Sequence, residues 1–308
     1  MERKGAIGLL TLLFLLLISP ARAELNGSDF SLSGNVGPHN TYSWGAKGHL
    51  RFERGELHGS YDKQIESAVP GNPETGDQHS ENASGGFAQY LNDDFGLGLD
   101  YDRLRDTVQS LTTDGLKVTG SFKIVTLAYR HARNKLDESF IPAGQNKNVR
   151  GAFTYQSTYS VSVDIALGKD DSLAPSFAYS TFTPDLEKFS SVLSRPRVQA
   201  QTGFSSTLQT YERYSVGMSY EHTFSPEWNA GVDGTFAMLI VGQNPLVTLS
   251  PSLTHHWTNH FATRLNFNET YQPAAPNWTA GLEAIFRFDP ERAPAPVEAN
   301  EAPSVRRP

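Results

Sequence analysis

The residues of this sequence best suited to hydrolytic chemistry are histidines with a serine nearby. His79 is followed by Ser80 in a segment predicted to be a loop, and the pair His255-His256 follows Ser252. A hydrolase needs a histidine base within hydrogen-bond reach of its nucleophile. His255 and His256 occupy a predicted strand, where successive side chains point to opposite faces, so they cannot act on one substrate as a pair. We therefore assign no catalytic residue and keep a hydrolase only as an alternative.

Two further histidines, His49 and His58, are predicted to lie on neighbouring strands and to face the same side. Two imidazoles could contribute to a metal site, but such a site needs at least a third placed ligand. The sequence offers no such ligand near them. We therefore predict neither a metal site nor a cofactor.

Charged residues recur at every second position of apolar segments. Between Trp44 and Phe52, apolar side chains alternate with Lys47, His49 and Arg51. This period of two is typical of a β-strand with one apolar and one polar face. The same alternation appears in most of the chain as far as residue 288. The interpretation of residues 116–133 stays open between one strand and two.

The segment 277–288 has the clearest alternation and is about as long as a strand that crosses a bilayer at a tilt. One of its faces carries Thr279, Gly281, Glu283, Ile285 and Arg287, and the other carries Trp278, Ala280, Leu282, Ala284, Phe286 and Phe288. This segment resembles the last strand of a Gram-negative outer-membrane β-barrel, and the resemblance covers residues 29–288 at the level of the superfamily. It implies that Phe286 and Phe288 form the signal that the barrel-assembly machinery reads. Residues 289–308 follow this signal, whereas most members of the superfamily end at the aromatic residue.

The beginning of the chain predicts export. Arg3 and Lys4 precede an apolar run at residues 5–18, and Ala21-Arg22-Ala23 matches a cleavage site, so we expect residues 1–23 to be a signal peptide. The chain contains no cysteine, which favours a bacterial exported protein over a disulfide-stapled one. Residues 289–308 are rich in Pro, Ala and Glu and are expected to form a disordered periplasmic tail. The net charge of −7 gives no reason to expect a nucleic-acid partner.

For residues 24–288 we predict an all-β domain, a single closed antiparallel transmembrane barrel of about 14 strands within a range of roughly 12 to 16. The strands of a soluble β-sandwich also alternate apolar and polar residues, but they are shorter, and their connections are not divided into tight turns at one end and long loops at the other. Here tight turns at 92–94, 225–227 and 258–259 contrast with polar loops at 68–81 and 183–199, which predicts periplasmic turns and extracellular loops. Aromatic residues expected at the membrane interface are Phe224, Trp228, Trp257, Phe261 and Trp278.

The polar faces of these strands are predicted to line the lumen. They also carry many small residues, among them Ser160, Ser162 and Gly217, which leave room for water. The candidate lining charges nearly balance, so the sequence favours a passive, weakly selective, porin-like channel for small hydrophilic solutes. The alternatives are a non-conducting structural, adhesin or assembly barrel and an outer-membrane hydrolase acting on lipid. The expected partners are outer-membrane lipid, the assembly machinery and the solutes. The candidate lining residues are Lys47, His49, Arg51, Asp100, Asp102, Arg150, Asp164, Arg213, Glu221, Asp233, Arg264, Glu283 and Arg287, with Glu53 and Glu56 as further acidic candidates.

Overall fold

The structure is a computed structural model, and it describes residues 25–38, 41–66, 78–92, 94–106, 111–136, 153–183, 212–239, 245–271 and 277–288. Within these ranges no helix is long and apolar enough to cross a membrane. The predicted signal peptide, the predicted tail and Arg150 lie outside the described residues, as do residues 68–77 and 184–199 of the two predicted loops.

The described residues form fourteen antiparallel strands. Strand β8 continues after Asp164 in a two-residue segment, Ile165–Ala166, that pairs with the next strand. The strands are β1 (Leu25–Val36), β2 (Thr41–Phe52), β3 (Gly55–Glu66), β4 (Gln78–Asn92), β5 (Phe95–Asp106), β6 (Leu111–Phe122), β7 (Val125–Leu136), β8 (Phe153–Val163), β9 (Asp171–Thr183), β10 (Glu212–Ser225), β11 (Trp228–Leu239), β12 (Pro245–Thr258), β13 (Phe261–Tyr271) and β14 (Asn277–Arg287).

The sheet closes on itself. Each strand pairs with its neighbours in the chain, and β14 also pairs with β1, where Arg287 lies opposite Asp29 and Ala280 opposite Val36. A closed sheet leaves no unpaired edge, which allows strands to cross a bilayer with every backbone polar group bonded. The predicted closed barrel of about 14 strands is confirmed.

The alternation of the sequence becomes the two faces of the barrel wall. On β14, Leu282 is 52% exposed, whereas the adjacent Glu283 is only 6% exposed. Large apolar side chains are exposed on the same outward face of the other strands, such as Leu265, Met218 and Leu127. The outer surface is therefore apolar around the barrel, as a surface solvated by lipid requires, and the polar series lies inside.

Several strands are longer than the sequence predicts. Gln78 to Glu81 belong to β4, although they fall in the predicted loop 68–81. The sequence also predicts polar connections at 106–115 and 134–148, but Leu111 to Gly115 belong to β6 and Asn134 belongs to β7. Residues 116–133 form parts of two strands joined by a tight turn at Lys123 and Ile124. The predictions were short at these places because the strands extend past the apolar band, where outward residues are polar and alternation disappears from the sequence.

The two rims of the barrel differ in their connections. One rim carries the tight turns, among them Glu53-Arg54, Lys123-Ile124 and Pro226-Glu227, and also the beginning of β1 and the end of β14. The other rim carries the longer connections, such as 137–152 and 184–211. We call the first rim periplasmic and the second extracellular, following the asymmetry of outer-membrane barrels.

Candidate functional site

The inner faces of β1 to β7 carry charged side chains that contact each other. Asp29 lies at the centre of one group: its Oδ1 is 2.7 Å from His49 Nδ1, and its Oδ2 accepts a hydrogen bond of 2.7 Å from Arg51 Nη2. His49 and His58 lie directly opposite each other on β2 and β3, with ring centroids 6.1 Å apart. His58 contacts a different carboxylate, and the described residues contain no group of three potential metal ligands.

The second group of charges crosses an intervening strand. His58 Nε2 on β3 lies 2.5 Å from Asp100 Oδ1 on β5, although β4 runs between them. The residue of β4 below this contact is Gly86, which pairs with both His58 and Asp100. A Cβ atom at Gly86 would lie 2.8 Å from His58 Nε2 and 2.6 Å from the Leu99 carbonyl oxygen. The contact therefore depends on the absence of a side chain at this position.

The same arrangement recurs two strands further along. Arg130 on β7 reaches over β6 to Asp102 on β5, donating from Nε to Oδ1 at 2.8 Å and from Nη2 to Oδ2 at 2.5 Å. The residue of β6 below is Gly115, where a Cβ atom would lie 2.5 Å from Asp102 Oδ1 and 2.7 Å from Arg130 Nη2. Such two-point bonds between guanidinium and carboxylate are strong and directional. On this wall the opposite charges therefore largely neutralise each other.

The wall formed by β8 to β11 is lined mainly by small side chains. Two adjoining cavities of about 360 and 300 Å³ open against it, and both are bounded by Ser176, Ala178 and Ser215. Gly217 and Thr235 line the first cavity, and Ser160 and Ser162 line the second. The small residues proposed from the sequence to leave room for water thus lie beside unfilled space in the lumen.

Three carboxylates on this wall have hydroxyl or amide partners. Asp233 accepts a hydrogen bond from Ser219, Glu221 accepts one from Asn229, and Glu212 is bonded to Ser215. Within the described part of the chain, none of the three has a basic side chain at ion-pair distance. Asp233 and Glu221 are exposed, so their charge is available to a passing ion, whereas Glu212 is less exposed.

The periplasmic end of the lumen holds a cavity of about 590 Å³ bounded by Glu221, His256, Arg264 and Arg287. Arg264 donates from Nε to Thr254 at 3.1 Å and from Nη1 to Glu283 at 3.4 Å. Arg287 Nη1 lies 3.2 Å from His256 Nδ1, which must accept because a guanidinium can only donate. Arg287 has no carboxylate at ion-pair distance among the residues that the structure describes.

The structure separates some of the predicted lining residues from the lumen. Glu53 lies in a tight periplasmic turn, and Asp164 interrupts the pairing of β8, where it is exposed. Arg213 lies at a register shift between β10 and β11, and its neighbour Glu212 lines the extracellular cavity together with Arg130. The register shift explains why Glu212 and not Arg213 lines the lumen, because an extra residue in one strand reverses the faces of the residues beyond it.

Sequence reasoning missed several inward charges, namely Asp29, Asp62, Lys117, Arg130 and Glu212. Lys117 and Arg130 lie in the segment whose strand number was left open, and Asp29 lies within the first strand, whose alternation is weak. Resolving residues 116–133 into a hairpin with its turn at Lys123-Ile124 would have placed Lys117 and Arg130 opposite each other, as they are found. The position of Glu212 has no comparable signal, because it depends on the register shift.

The hydrolase candidates do not form a catalytic pair. His79 and Ser80 lie in strand β4, where the expected loop is wrong: His79 is on the outer face with Ile65, and Ser80 is buried on the inner face at 4% exposure. His255 packs on the outer face against Trp228 and Trp257, with ring centroids 4.2 and 4.3 Å away. His256 points inward to Arg287, so the opposite orientation of the two histidines agrees with the sequence prediction.

The predicted interfacial aromatics lie near the rims. Phe224, Trp228, Trp257 and Phe261 flank the tight periplasmic turns, whereas Trp278 begins β14 at the extracellular end. At the seam of the barrel, Phe286 packs against Phe261 with ring centroids 5.3 Å apart. The backbone N–H of Phe288 donates to the Ser28 carbonyl oxygen at 3.0 Å, and its side chain is 65% exposed.

Comparison with known proteins finds solved structures of similar fold. No protein-family model and no curated protein matches the sequence. Among solved structures, the CymD monoaromatic hydrocarbon channel is similar at 7% identity over 85% of this chain and 88% of that chain, with a TM-score of 0.51. The Acinetobacter baumannii outer-membrane protein Omp33 is 11% identical over 85% and 98% of the two chains, with a TM-score of 0.46. The anion-selective porin from Comamonas acidovorans is 9% identical over 85% and 100%, with a TM-score of 0.41. The likeness to the CymD channel agrees with a closed β-barrel fold.

Proposed function

We propose that the protein is a passive outer-membrane channel for small hydrophilic solutes. The observation that carries this proposal is the contrast between the two walls of the lumen. On β1 to β7 the long charged side chains are folded against each other in pairs, such as Arg130 with Asp102. On β8 to β11 the lining is small and polar, with cavities of about 360 and 300 Å³ beside it. This arrangement supports a water-filled path along the second wall, because the described side chains of that wall leave these cavities open.

The same contrast supports weak selectivity. Paired charges exert little net field on a passing ion, since each is offset by a neighbour a few ångströms away. The exposed carboxylates and the arginine left without an ion-pair partner in the described residues have opposite signs: Glu221 and Asp233 lie on one wall, and Arg287 lies at the periplasmic mouth. We expect a channel that passes both ions, with the carboxylate wall giving cations a small preference.

The channel function is tested by single-channel recording on the purified, refolded protein in a planar bilayer. We expect discrete conductance steps and, in a salt gradient, a reversal potential close to zero. An absence of conductance from protein that migrates as a heat-modifiable barrel would remove the channel proposal. The non-conducting structural, adhesin or assembly barrel would then be favoured, because the hydrolase candidates His79, His255 and His256 form no catalytic pair with a serine.

A further inference from the structure

A group of basic side chains lies on the outer surface of the barrel at the extracellular ends of β5 and β7. Arg103 and Arg105 belong to β5, and Arg133 and Lys135 belong to β7; we call these four residues the basic outer patch. They occupy the same outward series as Tyr101 and the other lipid-facing residues of these strands, and all four are exposed. Outward cations this close to the apolar band are unusual because lipid tails do not solvate them.

The height of the patch corresponds to the edge of the membrane. Phe95 marks the periplasmic end of β5, and Arg103 and Arg105 follow it by 8 and 10 residues. At ~3.4 Å per residue and a tilt of ~40°, these residues lie about 20 and 26 Å above Phe95, against an apolar band of about 25 Å. The rings of Tyr101 and Phe153 lie at the same level: Tyr101 bonds Asp114 at 2.8 Å, and Arg133 lies 5.1 Å from the centroid of Phe153. The patch therefore sits where lipid headgroups are.

The nearby carboxylates do not neutralise the patch. Asp114 lies between Arg103 and Arg133 in the strand pairing and forms an ion pair with Arg103 Nε at 3.7 Å, so one carboxylate lies beside two arginines. Glu81, which lies opposite Arg105, interacts with this arginine and is also bonded to Lys63 at 2.7 Å, so one carboxylate serves two cations. The patch is thus positive after both carboxylates are counted. The connection 107–110 adds no charge to the sequence, and residues 137–152 add two carboxylates and two cations.

The exposed outer cations near the extracellular rim are concentrated on β5 and β7, and Arg213, at the register shift of β10, is an exception. On the opposite side, the described outer faces near the extracellular rim carry Met238, Val247, Glu269 and Trp278 on β11 to β14, and Tyr42 and Trp44 on β2. None of these described positions is basic. A nonspecific attraction to an anionic surface would not require this asymmetry, so the patch has the character of a site for one or a few bound molecules.

We propose that the basic outer patch binds the phosphate groups of an anionic glycolipid of the outer leaflet. Guanidinium groups match phosphate oxygens with two parallel hydrogen bonds, and Arg103 and Arg133 lie two strands apart, a separation of about 10 Å. The acyl chains of such a lipid would lie along Leu116, Val118 and Leu127 directly below, which are exposed. A soluble acidic protein is a poorer match, because the cations lie at the level of the lipid headgroups and beside interfacial aromatic rings. This site does not depend on whether the barrel conducts.

The test compares two variants of equal charge change. The first replaces patch residues (Arg103→Gln, Arg133→Gln, Lys135→Gln), and the matched control replaces exposed cations of the periplasmic turns (Arg54→Gln, Lys123→Gln, Lys169→Gln). Each purified full chain is titrated with diphosphorylated lipid A in a neutral detergent, and bound lipid is counted by native mass spectrometry. A dephosphorylated lipid A and inorganic phosphate serve as the other probes. Heat-modifiable migration verifies that each variant is folded.

We expect the unaltered protein and the control variant to retain diphosphorylated lipid A and the patch variant to lose roughly tenfold or more in affinity. Equal loss in both variants would overturn the proposal in favour of overall charge. If the unaltered protein binds dephosphorylated lipid A as tightly as diphosphorylated lipid A, the apolar belt alone accounts for binding and the proposal fails. This comparison uses only the unaltered protein, so it does not depend on the folding of either variant. Inorganic phosphate should not displace more bound lipid A than chloride does at equal ionic strength. If phosphate does displace more, the site binds a free anion and not a lipid.

Discussion

His58 and Asp100 meet over Gly86, so a contact between β3 and β5 passes across the strand that separates them. The Nε2 and Oδ1 atoms are 2.5 Å apart, and both side chains are largely shielded from solvent. Similar crossings occur elsewhere on the inner wall: Gly45 lies between Ser33 and Asp62, and Gly281 lies between Asn35 and Asn266. Inward glycines in this barrel thus make room for the side chains of the two adjoining strands as well as for water.

The first prediction concerns these crossings. Gly86→Ala and Gly115→Ala should each lower the free energy of unfolding by about 1–3 kcal/mol, because the new methyl group displaces a charged contact and leaves its partners poorly bonded. Gly120→Ala is the control, since a Cβ at this position meets nothing closer than Leu97 Cδ2 at 3.9 Å. Urea titration of the folded protein in vesicles measures the change. If Gly120→Ala lowers the free energy of unfolding as much as Gly86→Ala does, the contacts across the glycines do not explain why glycine occupies these positions.

How much of this architecture the sequence could predict depends on where a residue lies along its strand. Within the apolar band, alternation identifies the face of residues such as Leu282 and Glu283 without any structure. Above the band, outward residues such as Lys63 and Arg103 are polar, so the pattern that marks a strand disappears although the backbone pairing continues. The ends of β4, β6 and β7 were missed for this reason.

The partners of the lumen charges were beyond sequence reasoning for a different reason. Contacts such as Arg130 with Asp102 join residues separated by several turns, and their register follows from the pairing of three strands. A near-balance of charges could be counted from the sequence. The sequence could not show which charges are paired. This pairing matters because it distinguishes the paired charges from Glu221 and Asp233, which remain available on the opposite wall.

The second prediction concerns ion selectivity. Glu221→Gln combined with Asp233→Asn should shift the reversal potential in a salt gradient toward anion preference. A charge about 8 Å from an ion in water contributes about 0.5 kcal/mol, which is roughly a twofold change in ion occupancy per carboxylate. The control combines Glu53→Gln with Asp94→Asn, which removes the same charge from exposed turns. Equal shifts in the two variants would mean that the carboxylates of β10 and β11 have no special role.

The third prediction concerns the two faces of the wall. A spin label at Leu282 should be reached by a lipid-soluble quencher, and a label at Glu283 should not, because these residues are 52% and 6% exposed on opposite faces. A water-soluble quencher should show the reverse preference if the lumen is filled with water. Similar accessibility of the two labels to the lipid-soluble reagent would contradict the assigned faces.

The fourth prediction concerns sidedness. The turn at Pro226-Glu227 is periplasmic in our assignment, and residues 68–77 and 184–199 belong to extracellular connections. Protease added to intact cells should therefore cut within those connections, if it cuts at all, and should leave the exposed Glu227 untouched until the outer membrane is opened. Cleavage at Glu227 on intact cells would reverse the topology and would move the basic outer patch to the inner leaflet.

The last prediction concerns assembly at the seam between β14 and β1. Phe288 follows the last residue of β14, and its N–H continues the pairing by donating to Ser28, while its ring remains 65% exposed on the outer surface. Because the ring is mostly exposed in the folded barrel, we predict that it acts mainly before closure, when the assembly machinery can contact it. Phe288→Ala should therefore lower the yield of inserted, heat-modifiable barrel severalfold while leaving the unfolding of the inserted fraction nearly unchanged.

Phe122→Ala is the control: it removes a similarly exposed ring beside another tight turn and should have little effect on yield. Removal of residues 289–308 should also leave insertion intact. Equal losses from Phe122→Ala and Phe288→Ala would assign the effect to the aromatic belt and not to an assembly signal.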